Sequence, residues 1–131
     1  MAGTIPPAEA LRLADLIAPT ERGIASRVLA KTSGGNVTLF AFDRGEGLSE
    51  HTTPFDALAL VIDGSMTFTI GGAPIAAGAG TVVRLPANVP HAVDAGEAAR
   101  MLLFMVREPA ARMIYVMDAR KREMEKGGPP A

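Results

Sequence analysis

Ala57-Leu58-Ala59-Leu60-Val61-Ile62-Asp63-Gly64-Ser65-Met66-Thr67-Phe68-Thr69-Ile70-Gly71-Gly72 holds the clearest pattern in the chain. Two short apolar runs are each closed by a dipeptide that tolerates positive φ, as two-residue hairpin turns require. In the second run Met66, Phe68 and Ile70 share one face while Thr67 and Thr69 share the other. That is the period of a strand with one side on a core. Neither run is long enough for an ordinary helix.

The same rhythm extends in both directions. Residues 24–31 end at Ser33-Gly34-Gly35-Asn36, 37–42 at Asp43-Arg44-Gly45, and 47–52 just before Pro54. Beyond the opening stretch, a brief run from Ile75 closes at Gly78 and Gly80, 81–85 meets Pro86, and 91–94 and 99–106 complete the series. Eight or nine strands with no helix between them must pair antiparallel, as a sandwich or a barrel. The flanks differ. After Pro6 and Pro7, residues 8–17 place Leu11, Ala14 and the Leu16/Ile17 pair one turn apart, and Pro19 ends the pattern. Residues 108–126 return to helical spacing, with Ala110, Met113, Ile114 and Met117 as a stripe. The expected organisation is one domain over 1–131: a helical arm at 1–20, a barrel at 24–106 and a helix at 108–126.

Composition narrows the function. The 131 residues include no cysteine, which removes thiol catalysis, thiolate metal sites and redox switching. A net charge of −1 leaves no footprint for nucleic acid, and no apolar run approaches a membrane span. Residues 1–10 lack the basic and apolar regions of a secretion signal, so a cytoplasmic location is expected.

The two histidines, His51 and His91, both fall in the strand-rich region, and their surroundings resemble the two motifs of the cupin superfamily. In the first, Gly45 precedes His51 by five intervening residues, Thr53 takes the second His slot, Ala57 the Glu slot, and Gly64 closes the motif. In the second, Gly80 precedes Pro86 by five, Asn88 takes a Gly slot, His91 follows, and Ala95 takes the Asn slot. The resemblance implies an all-β, antiparallel jelly-roll β-barrel, commonly a homodimer, with a small-molecule pocket along its axis.

Metal-binding members of that superfamily hold Mn, Fe, Ni, Cu or Zn through three His and one Glu. Only two of those four slots carry a ligand here, since a Thr53 hydroxyl is a poor donor for such ions and Ala57 offers none. Asp56 is the nearest carboxylate to the missing Glu. Plain alternation turns it away from the pocket, but a bend at Pro54 would bring it round. His51, His91 and Asp56 would then form a two-His, one-carboxylate set suited to a divalent transition metal such as Fe, Zn, Ni or Mn.

Strand parity sets Val37, Leu39 and Ala41, Leu58, Leu60 and Ile62, and Met66, Phe68 and Ile70 as three walls, with Leu103 and Met105 or their neighbours as a fourth. The expected ligand pocket is His51, Thr53, His91, Phe68, Leu60 and Met105. Two readings follow. One is a cupin that binds or senses a small, partly apolar molecule without catalysis. The other is a metal-dependent enzyme of oxygenase or isomerase type using His51, His91 and Asp56. Residues 57–62 are apolar on both faces, which favours cover from a second subunit or a terminal helix.

Overall fold

The computed structural model describes residues 4–18 and 20–106. Its nine strands are β1 (Ile24–Thr32), β2 (Gly35–Phe42), β3 (Gly47–His51), β4 (Asp56–Asp63), β5 (Ser65–Ile70), β6 (Ala73–Gly78), β7 (Val82–Leu85), β8 (His91–Ala95) and β9 (Ala99–Val106). They form two antiparallel sheets, β1-β2-β9-β4-β7 and β3-β8-β5-β6, packed face to face as a jelly roll. The expected strand series is therefore present, each run within a residue or two of its boundaries.

The two turn dipeptides do different work. Gly71 and Gly72, at φ +58° and +87°, close a tight hairpin that pairs Ile70 with Ala73. Asp63-Gly64 was expected to make a second hairpin, but β4 and β5 lie in different sheets, so it turns the corner between them. Gly64 needs its φ of +77°, and a Cβ there would stand 2.3 Å from the Ala98 carbonyl oxygen. No other residue type fits without strain.

Apolar side chains gather in two places. Between the sheets lie Phe42, Ala57, Ala59, Val61, Met66, Phe68, Leu85, Val93 and Met101, with Ile70, Leu103 and Met105 packed against them. A second cluster covers the outer face of the five-stranded sheet: Leu39, Ala41 and Leu102 with Ile17 and Leu29, joined by Val37, Leu60, Ile62 and Phe104. This corrects two of the expected walls. Val37, Leu39 and Ala41 and Leu60 and Ile62 point out of the barrel, while Phe40, Phe42, Ala57, Ala59 and Val61 point in. β2 and β4 are apolar on both faces, so their sequence carried no contrast to tell inside from outside.

The N-terminal helix is also corrected. Among the described residues the one helical element is Leu13–Asp15, a single 3-10 turn, with Arg12 before it extended at φ −80° and ψ 121°. Ile5 N–H bonds to the Leu29 carbonyl oxygen at 2.9 Å, tying the arm to the edge of β1 as extended chain. Ala8 sits at φ +62°, which breaks any helix there. Leu13, Leu16 and Ile17 still bury apolar surface on the second cluster. The helix expected at 108–126 lies outside the described residues.

Candidate functional site

One row of backbone partners crosses each sheet at the same end of the barrel. In the five-stranded sheet Asn36 pairs with Met105, Met105 with Ala57, and Ala57 with Leu85. In the other sheet His51 pairs with His91, His91 with Ile70, and Ile70 with Ala73. Two short connections, 52–55 from His51 into β4 and 86–90 from Leu85 to His91, join the rows and so place them at one mouth. Ala57, Leu85, Met105 and Ile70 belong to or pack on the interior cluster, which fixes these faces as the inner ones.

A local irregularity brings His51 to this face. Between Leu48, opposite Val93, and His51, opposite His91, β3 carries one more residue than β8. A bulge of this kind bends the strand and resets its alternation, so Leu48 and His51 both face inward. The imidazoles then meet edge to face, with centroids 4.4 Å apart and planes at 66°. His91 is buried at 5% exposure, whereas His51 is exposed, so the pair steps from solvent into the barrel.

Each ring is held the same way. His51 Nδ1 lies 2.8 Å from the Ser49 carbonyl oxygen, and His91 Nδ1 lies 3.1 Å from that of Val89. A carbonyl oxygen only accepts, so each Nδ1 must carry the proton and donate. In the neutral ring Nε2 is therefore bare, a basic lone pair with no hydrogen-bond partner among the described residues. The mouth thus presents two adjacent acceptors on one wall.

The connections that carry these carbonyls are laced together. Asn88 N–H donates to the Thr53 carbonyl oxygen at 2.8 Å, and the Thr53 hydroxyl donates to that of Phe55 at 3.1 Å. Asp56, opening β4, accepts from Ala87 N–H at 2.8 Å and from Arg84 Nη2 at 2.7 Å. The Ala87 N–H first, and then the Arg84 guanidinium, hold its carboxyl below the usual carboxylate range. Asp56 is thus a clamp between the start of β4 and the connection leading to His91.

Of the expected pocket residues, His51 and His91 come together and Met105 stands in the facing row. Phe68 lies one row deeper, opposite Val93, as a fully buried floor. Thr53 is in the connection beside His51, its hydroxyl already donated. Leu60 is not on the lining: it packs in the outer cluster because its neighbours Ala59 and Val61 take the inner face of β4.

Asp56 does not join the histidines either, since both carboxylate oxygens are taken by Arg84 and Ala87. A divalent ion held with an open position takes about three protein ligands. No group of three His, Asp or Glu side chains is close enough to hold one among the described residues. The donor set among the described residues does not fit the metal that the resemblance implies.

Asn36 and Thr38 were missed as inner residues. In sequence Asn36 reads as part of a turn, yet Asn36, Thr38, Phe40 and Phe42 alternate along the inner face of β2. The signal was a polar pair at strand period ahead of two phenylalanines.

Comparison with known proteins bears on what this arrangement is. Residues 38–107 match the cupin domain family. A search of curated proteins finds no match. A conserved protein of unknown function from Streptococcus pyogenes is 29% identical, with a TM-score of 0.77 over 83% of this chain and 96% of its own. A cupin superfamily protein from Desulfitobacterium hafniense is 28% identical, with a TM-score of 0.75 over 82% of this chain and 99% of its own. A cupin 2 conserved barrel domain protein from Leptotrichia buccalis is 36% identical over 74% of this chain and 47% of its own, with a TM-score of 0.71.

Proposed function

The chain belongs to the cupin family, and from that premise we propose that it binds or senses a small, partly apolar molecule at the barrel mouth. The observation that carries this reading is the imidazole pair, centroids 4.4 Å apart, with both Nδ1 atoms engaged by backbone carbonyls and both Nε2 atoms bare. Two adjacent acceptors, one on a buried ring and one on an exposed ring, are what a ligand's donor could engage at an apolar mouth. Met105, Ile70 and Phe68 supply surface for an apolar body, and concave apolar sites with a few placed polar groups are the common form of small-molecule site.

The metal-dependent alternative needs a third ligand, and Asp56 is committed elsewhere. Elemental analysis of untagged protein separates the two. Binding without catalysis expects metal far below one equivalent per chain. Near-stoichiometric metal that disappears in a His51→Ala/His91→Ala double variant would overturn it. No helix among the described residues is long and apolar enough to cross a membrane.

We also propose a homodimer through the outer face of β4 and β7. Leu58 and Val82 are 41% and 61% exposed there, outside the cluster on which the N-terminal arm packs. Such a face is ordinarily covered in a stable assembly.

A further inference from the structure

We propose that Asn36, oriented by Thr38, is the donor wall of the pocket, and that it selects ligands whose polar head both donates a hydrogen bond and accepts one. The inference rests on the binding reading above and adds to it the identity of the opposite wall and the chemistry of the head group.

Asn36 sits in the mouth row of the five-stranded sheet, beside Met105, and Thr38 lies one row deeper beside Leu103. In a two-sheet jelly roll this row faces the row that carries His51 and His91. Thr38 is buried at 9% exposure on an otherwise apolar wall, and its hydroxyl donates to Asn36 Oδ1 at 3.0 Å. That bond fixes which end of the amide points where. Oδ1 is occupied and Nδ2 is left with its N–H donors, which bond to nothing among the described residues. A cavity of about 260 Å³ at the end of the β1–β2 hairpin is lined by Asn36 and Met105 together with Lys31, Val37 and Phe104, and by neither histidine, so Asn36 is reachable by a small molecule from that side.

The two polar walls are complementary in kind. With Nδ1 committed to a backbone carbonyl, each imidazole in its neutral form offers Nε2 as an acceptor, and Asn36 offers N–H donors. No carboxylate stands on the inner face of either mouth row, for Asp56 is held by Arg84 and Ala87. A head with one donor and one acceptor satisfies both walls at once. A primary amide or a hydroxy-ketone on a short apolar body is such a head. A group that only accepts meets the amide but leaves the imidazoles unsatisfied, which costs affinity.

Two probes with the same branched body test this: isovaleramide, which donates and accepts, and methyl isobutyl ketone, which only accepts. Binding is followed by NMR through the ring signals of His51 and His91 and the side-chain amide of Asn36. Isovaleramide is expected to shift both sets and to bind about tenfold tighter than the ketone, the scale of one hydrogen bond. Asn36→Leu is expected to weaken isovaleramide about tenfold while the ring shifts persist at saturation. Asn36→Asp, which replaces the donor with an acceptor, should weaken it at least as much. Thr38→Val should weaken it less, by releasing the amide to rotate.

If isovaleramide shifts the ring signals but Asn36→Leu changes its affinity by less than about twofold, the donor wall is refuted and the binding reading stands. If neither probe moves the ring signals of the wild-type protein, both fall together. Should Asn36→Leu fold poorly, the wild-type cross-relaxation between isovaleramide and the Asn36 amide protons decides alone. It is expected to be present, and its absence at saturation overturns the proposal.

Discussion

His91 is the most constrained side chain of the mouth. It is buried, its Nδ1 proton is spoken for by Val89, and one edge of the ring meets His51. His91→Ala therefore removes an acceptor and opens a cavity at once, whereas His51→Ala removes an exposed acceptor with little loss of packing. The expected outcome is a lower Tm for His91→Ala than for His51→Ala, measured by thermal melts. Asp56 makes a prediction of another kind. Its carboxyl is held below the usual range by Ala87 N–H and Arg84, so the folded state favours the ionised form. Its contribution is complete above the unfolded carboxylate range, near about pH 4, and fades as pH falls through the lower folded value. Asp56→Asn is thus expected to lower Tm at neutral pH, with the gap from wild type closing in acid. A gap that stays constant down to acid pH would contradict the clamp. The histidine pair was legible because the residues around each one resemble a known motif. The direction of Asp56 was not, since it is set by Arg84, 28 positions away and adjacent only in the folded sheet.

At the scale of the element, parity was legible only where it had contrast. Met66, Thr67, Phe68, Thr69 and Ile70 alternate apolar and polar, and β5 faces as that pattern says. β2 and β4 are apolar on both sides, so either face fitted the core equally well in sequence. Leu60 was misplaced for that reason. The arm misled through its spacing: of the expected stripe Leu16 and Ile17 pack on the outer cluster, joined by Leu13, while Leu11 and Ala14 stay exposed, because the arm is extended chain and one 3-10 turn. Gly64 carries the element-scale prediction. At φ +77°, with the Ala98 carbonyl oxygen 2.3 Å from where a Cβ would sit, Gly64→Ala strains the corner between the sheets. It is expected to cost more than about 1 kcal/mol in denaturant melts, while Gly72→Ala, which has open space around it, should cost less.

At the scale of the molecule, the jelly roll sets two apolar surfaces to different uses. The interior cluster holds the sheets together, and Phe68, fully buried at its centre, should cost about 3–5 kcal/mol on truncation to Ala. The outer cluster is only partly roofed by the arm, leaving Leu58 and Val82 for the proposed second subunit. Leu58→Glu is expected to shift the protein from dimer to monomer in light scattering without unfolding it. A wild-type monomer would refute the dimer. The two rows at the mouth depend on this whole arrangement, because the histidines and Asn36 reach one place only when both sheets close on each other. Nitrogen-15 spectra of the imidazoles at alkaline pH report that arrangement at its centre. For both His51 and His91 they are expected to show Nδ1 protonated and Nε2 bare, with cross-relaxation between the two rings; an Nε2-protonated form in either ring, or rings with no through-space contact, would contradict it.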